Sequence, residues 1–175
     1  MIQVREIWLK QQVDMFPSFT LFTIRLKTHL KSLEVMKTVG NRSGAVKRLV
    51  AEFAPGDDFI PRRSGIHPDS EGRLPAGHRV DTVLEDRSGQ FLAMELCLNN
   101  RETIGTNFMK LSAALDARSE SSQGLAVLIT LSRELLNFGG WDKSYGDTSE
   151  YIELFNLAYG QYMRNNVLIL SLEPS

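Results

Sequence analysis

The sequence predicts an α/β fold with a mixed sheet, and three observations support this prediction. The segments HRVDTVLED and FLAMELCLN read as two strands that flank the short polar turn 86–90, which predicts a β-hairpin. The following segment carries Ile104, Phe108, Leu111 and Leu115 at helical spacing. The run GLAVLIT is continuously apolar, as is typical of a strand covered on both faces.

The remaining elements follow from the same periodicities. SRELLNFGG predicts a short helix ended by glycine, and Thr148 or Ser149 can cap a further helix. NVLILSLE predicts a last strand, so residues 79–172 form a ββαβαβ core.

The chain is expected to form a single domain, 1–175, with two parts before this core. Apolar residues at helical spacing, such as Val4 and Ile7, predict N-terminal helices over residues 1–53. Residues 54–78 are rich in Pro, Gly, Asp and Ser, which predicts an irregular loop.

Composition and the absence of several motifs exclude some classes of protein. The net charge is −1 and the single cysteine permits no internal disulfide, so a reducing, cytoplasmic location is expected. The N-terminus lacks the features of a signal peptide, and the most apolar early segment is interrupted by charges, so no membrane span is expected. No nucleotide-binding loop, zinc-spaced cluster or serine-hydrolase signature is present, which argues against a nucleotide cofactor.

Polar residues alternate along one face of the second hairpin strand. Glu95, Cys97 and Asn99 are two residues apart and share a face, and Asp81 on the preceding strand can approach Glu95. Two acids that converge at a sheet edge form a hard-oxygen site of the kind Mg²⁺ prefers. The alternative is the ordinary solvated face of a hairpin. Against it, a carboxylate in a strand as apolar as FLAMELCLN must be paired, bind a metal or face a cleft.

Asp81 on one strand and Glu95-Leu96-Cys97 on the next resemble the PD-(D/E)xK nuclease motif. The segment ELCLNNRETIGTNFMKL is similar to the part of BglII- and BamHI-type restriction endonucleases in which Glu-x-(Glu/Gln) precedes Asn-Asn and a basic residue, opening into a helix. The resemblance covers roughly residues 78–172 and is strongest over 91–111.

This resemblance implies a restriction-endonuclease-like three-layer αβα sandwich and a type II restriction endonuclease acting on double-stranded DNA as a homodimer. Asp81 and Glu95 would bind Mg²⁺, with Mn²⁺ as an alternative ion. Cys97 would occupy the third catalytic position, where the broad family has Lys and this subgroup tends to have Glu or Gln. That is a departure, because a neutral thiol is a poor partner for Mg²⁺.

Other side chains are candidates for supporting roles, although each is of a type common on ordinary surfaces. Glu52 could add an acid, Asn99 could orient a water or contact a phosphate, and Lys110 could reach back to the site from its helix. The candidate DNA-binding residues are Arg62, Arg63, Arg79, Asn100 and Arg101. For the loop arginines the alternative is a solvated loop whose charges nearby acids balance.

Cys97 bears on which function the chain performs. As a nucleophile it would need a nearby histidine base, and none of the three histidines shows a supporting motif. Its presence at the third position favours a second hypothesis, a catalytically inactive nuclease-fold protein that binds DNA or a protein partner. A plain interaction domain without a nucleic-acid role is the third.

Overall fold

The computed structural model describes residues 2–11, 16–32, 42–62, 79–118, 124–138, 141–142 and 144–175. Within these ranges six strands form one mixed sheet: β1 (Ile2–Lys10), β2 (Phe59–Arg62), β3 (Thr82–Asp86), β4 (Phe91–Leu96), β5 (Leu125–Leu131) and β6 (Asn166–Pro174). Their order across the sheet is β1-β6-β5-β4-β3-β2. The central strands β4, β5 and β6 are parallel, and the pairs toward both edges are antiparallel.

Helices cover both faces of this sheet. In the described part of the chain they are α1 (Pro17–Lys31), α2 (Arg42–Ala51), α3 (Ile104–Asp116), α4 (Arg133–Asn137) and α5 (Thr148–Leu154). A 3-10 turn, Arg101–Thr103, precedes α3, and a π-helical turn, Phe155–Tyr159, continues α5. None of these helices is long and apolar enough to cross a membrane.

Alternation along β4 builds one hydrophobic core on each face of the sheet. Met94 and Leu96 pack in the same core as Phe22 of α1, together with residues of α2 and α4. On the opposite face, Ala93 of β4 and Cys97, which directly follows β4, pack in the same core as Phe108 of α3, together with residues of α5. The fold is therefore the predicted three-layer αβα sandwich, and the ββαβαβ order of its core is confirmed.

The prediction of helices throughout residues 1–53 is wrong at the N-terminus, where β1 is a strand. Ile2 and Val4 are buried while Gln3 between them is exposed, and β1 pairs antiparallel with β6 from Ile2↔Pro174 onward. Val4 and Ile7 fit a helical period by coincidence, because short apolar patterns do not distinguish helix from strand. Without β1, one side of strand β6 would leave its backbone N–H and C=O groups without hydrogen-bond partners. Pairing with β1 supplies these partners, and this favours a strand over a helix here.

The predicted irregular loop over 54–78 is wrong at its start. Residues 59–62 form β2, which pairs antiparallel with β3 at the edge of the sheet. Pro61 in this segment indicated a loop, but a proline is tolerated on an edge strand. Residues 63–78, including Arg63, lie outside the described residues.

Candidate active site

The hairpin brings the two candidate acids to the same edge of the sheet. β3 starts at Thr82, which lies opposite Met94 of the antiparallel strand β4, so Asp81 lies next to the end of β4. The Asp81 Oδ2 atom accepts a hydrogen bond from the Leu96 backbone N–H at 2.8 Å. This bond fixes the carboxylate of Asp81 to the strand that carries Glu95.

Both acids line a cleft of about 420 Å³ between α2 and α3. The lining residues come from α2, from the hairpin and its continuation, and from α3: Lys47, Val50, Ala51, Asp81, Thr82, Glu95, Leu96, Asn99 and Lys110. Three of the sequence-predicted candidates besides Asp81 therefore meet here, namely Glu95, Asn99 and Lys110.

Glu95 is the buried acid of the cleft, with 1% of its surface exposed. The Lys110 Nζ atom lies 2.6 Å from Glu95 Oε1. Opposite charges at this distance form an ion pair, which favours the ionised form of Glu95.

The environment of Glu95 disfavours its charged form. Burial, and then repulsion by the Asp81 carboxylate, raise the pKa of Glu95 from 4.5 to about 7, although Lys110 opposes both. An acid whose proton is this easily gained near neutrality is typical of functional sites.

Lys110 is held in place by two contacts. Its ammonium lies against Glu95 and also donates a hydrogen bond to the Arg79 carbonyl oxygen at 3.2 Å. Only 11% of its side chain is exposed. α3 therefore directs a fixed positive charge at Glu95.

Cys97 lies away from this cleft, although it follows Glu95 on the same face of the strand. Its side chain is fully buried beneath α3, with Sγ 3.7 Å from Asn107 Nδ2, which in turn donates to the Tyr151 hydroxyl at 2.8 Å. Burial raises the pKa of the Cys97 thiol far above neutrality, so the thiol stays protonated. This geometry offers no support for a role of Cys97 in binding a metal or in nucleophilic attack.

The remaining candidates are more scattered. Glu52 is exposed just after α2 and does not line the cleft. Arg62 is paired with Glu85 on the neighbouring strand, with 2.5 Å between Nε and Oε2. Arg79 is exposed and next to the cleft through its carbonyl contact with Lys110.

Asn100 and Arg101 lie in the turn that leaves β4. Asn100 Oδ1 accepts a hydrogen bond from the Ser144 hydroxyl at 2.7 Å. Arg101 Nε lies 3.2 Å from Glu150 Oε1. Both side chains are exposed: Asn100 attaches this turn to the segment before α5, and Arg101 attaches it to α5 itself.

The donor set fits Mg²⁺ through two carboxylates. Within the described ranges, no group of three or more His, Cys, Asp or Glu side chains is arranged to hold a metal ion. Mg²⁺ commonly binds through one or two carboxylates, with substrate phosphate and water as its other ligands. Asp81 and Glu95 therefore match the minimal protein contribution to such a site.

Sequence reasoning missed Lys47. This exposed lysine of α2 lines the cleft in the place where Glu52 was expected. Its spacing to Val50 and Ala51 puts all three on one side of a helix, which is visible in the sequence. The sequence does not show which element that side faces.

Sheet order, layers and helix placement together define a restriction-endonuclease-like α/β fold. This chain is similar over its whole length to the crystal structure of restriction endonuclease BglII complexed with a DNA 16-mer. The TM-score is 0.60, the sequence identity is 14%, and the match covers 77% of the BglII chain. No protein-family model and no curated protein matches the sequence. At this level of identity the similarity establishes the fold, and any activity must be argued from the site.

Glu95→Gln is expected to stabilise the metal-free protein at pH 8. The raised pKa means that the stability contributed by neutral Glu95 is fully present below about pH 4.5 and is lost as the pH rises through about 7. A permanently neutral glutamine avoids that loss, and the gain is on the order of 1–3 kcal/mol. Denaturant unfolding in EDTA at pH 5 and pH 8 measures it.

The exposed Glu102→Gln variant is the matched control and should show no such pH-dependent gain. If Glu95→Gln is no more stable than wild type at pH 8, the carboxylate is not destabilised by its surroundings.

Proposed function

We propose that this protein is a metal-dependent DNA endonuclease of the type II restriction kind, a member of the PD-(D/E)xK nucleases. The observation that carries the proposal is the cleft in which a buried carboxylate, Glu95, meets a second acid, Asp81, and a fixed ammonium, that of Lys110. A carboxylate this deeply buried beside a like charge is costly for folding, and metal binding would compensate for that cost.

Asp81 and Glu95 would hold Mg²⁺ or Mn²⁺. Such an ion lowers the pKa of a bound water and stabilises the charge that develops on a phosphodiester. The Leu96 N–H orients Asp81, and Lys110 favours the ionised form of Glu95 against burial and Asp81 and would present positive charge to the phosphate.

Lys110 supplies the charge that the motif lacks at position 97. Its ammonium is in contact with Glu95, whereas the Cys97 thiol is enclosed in the core beneath α3. The departure at Cys97 therefore does not by itself argue against catalysis in this proposal.

Double-stranded DNA is the proposed substrate, since BglII, which has the same fold, was crystallised with DNA. Cleavage of both strands at a two-fold symmetric target is most simply achieved by two equivalent sites. We therefore propose that the active form is a homodimer.

A second candidate function is a silent relative that binds DNA or a protein partner without cutting. Its support is the small donor set, with two acids in the cleft and no third in the described part of the chain. Under this alternative, the pairing of Lys110 with Glu95 is the resting arrangement and no metal displaces it.

DNA cleavage separates the two functions. Because the recognition sequence is unknown, long genomic DNA is incubated with the protein and Mg²⁺, Mn²⁺ or EDTA. The endonuclease proposal predicts discrete fragments with either metal and none with EDTA. Salt-dependent DNA binding without cleavage in any metal would instead support the silent relative.

A further inference from the structure

Lys47 is the charged residue on the α2 wall of the cleft. It shares this wall with Val50 and Ala51, and the three are spaced as neighbours on one side of a helix. Val50 also packs against the hydrophobic core, which fixes the rotation of α2 and so the direction of this side. Lys47 itself is exposed.

The two acids and Lys110 of the cleft do not balance in charge without a second cation. With both acids ionised, Asp81 and Glu95 carry two negative charges, and Lys110 offsets one of them. A phosphodiester entering the metal-free cleft would meet a net negative charge. Lys47 on the opposite wall brings the formal charge of the lining side chains to zero.

Lys47 also differs from two of the predicted DNA-binding arginines. Arg62 is engaged by Glu85, and Arg101 by Glu150. Lys47 forms no ion pair with any carboxylate that the structure describes. A cation that is not already paired gives up no ion pair when it contacts a phosphate.

We propose that Lys47 is a positioning residue that contacts a backbone phosphate of the DNA strand lying across Asp81 and Glu95. This inference rests on the proposed nuclease function. Lys47 acts on binding and placement of the strand, while Lys110, next to Glu95, acts on the chemistry. The two walls of the cleft thus have separate tasks.

The test is the salt dependence of DNA binding in EDTA, measured by the fluorescence anisotropy of a labelled random-sequence duplex. Lys47→Ala should weaken binding roughly fivefold and lower the slope of log K against log salt by about one. Lys47→Arg should stay close to wild type. Arg48→Ala is the matched control, because Arg48 is an exposed cation on the same helix that does not line the cleft.

Cleavage kinetics supply the second readout. With metal, Lys47→Ala should raise KM by a factor similar to its loss of affinity, while kcat changes far less. If wild type binds and cuts DNA but Lys47→Ala behaves like Arg48→Ala, the role of Lys47 is refuted and the nuclease proposal stands. If wild type shows no salt-dependent affinity for DNA, both are refuted.

Discussion

Asp81→Asn and Glu95→Gln are each expected to lower the rate of metal-dependent DNA cleavage roughly a thousandfold or more. Each change keeps the shape of the side chain and removes one of the two carboxylates that line the cleft. Carboxylate oxygens are the ligands that Mg²⁺ prefers, and an amide that carries no charge holds the ion much less strongly. The measurement is the single-turnover rate of fragment formation from genomic DNA.

The two variants should differ in stability, which separates loss of chemistry from loss of fold. Glu95→Gln replaces an acid that burial and Asp81 disfavour, so it should unfold at higher denaturant concentration than wild type at pH 8. A variant that is more stable and yet inactive is the pattern expected when a residue is retained for function at a cost in stability. Asp81→Asn keeps an oxygen that can accept from the Leu96 N–H, so its fold should also persist.

DNA binding in EDTA provides a further control for these variants. Both should bind duplex DNA at least as well as wild type, because each removes a negative charge from the cleft. Glu102→Gln, an exposed acid outside the cleft, should leave cleavage and binding unchanged. Cleavage by Glu95→Gln at the wild-type rate would contradict the assignment of the metal site.

Local sequence patterns predicted the central part of the fold because they act over short distances. The hairpin is set by a short turn, residues 87–90, in which Gly89 adopts a positive φ of 81°, and β5 by a continuous apolar run that is typical of a covered strand. β1 and β2 were missed because both are edge strands. Their conformation is determined by partners far along the chain, β6 and β3, and such pairings leave little trace in the local sequence.

The residues of the candidate site likewise include some that local patterns predict and others whose positions depend on packing. Strand alternation was enough to place Glu95 and Cys97 on one face, and hairpin pairing was enough to bring Asp81 beside Glu95. Alternation did not show where α3 covers that face. The helix lies over Cys97 and encloses it, whereas Glu95 lies at the cleft. The positions of Lys47 and Lys110 relative to the acids depend on how α2 and α3 pack on the sheet, and one sequence does not specify that packing.

Lys110→Met is expected to slow cleavage by about a hundredfold to a thousandfold. Methionine keeps most of the aliphatic stem but removes the ammonium that lies 2.6 Å from Glu95 Oε1. Two effects combine. The phosphate loses a nearby positive charge, and Glu95 loses the cation that holds its pKa down against burial and Asp81.

The second effect makes the prediction specific to the proposed role of Lys110. In the metal-free protein Glu95 without its counterion should titrate at a higher pH than about 7, so the carboxylate becomes free to bind the metal ion only at higher pH, and the rise of cleavage with pH should move to higher pH in Lys110→Met. Lys110→Arg should keep the wild-type profile, and Met109→Ala, on the exposed side of the same helix, should change neither rate nor profile. A merely structural lysine would lower stability without moving the profile.

Cys97→Lys in the Lys110→Met background distinguishes the two possible sources of the missing charge. If position 97 served the site directly, a lysine there would restore cleavage, as the motif implies. Because Cys97 is fully buried beneath α3, we expect instead that a lysine ammonium there is enclosed in the core away from the cleft. Such a charge costs several kcal/mol of folding free energy. Rescue of cleavage by Cys97→Lys would therefore contradict the conclusion that position 97 is enclosed away from the cleft, whereas lost stability without rescue is the outcome that the packing of α3 on β4 predicts.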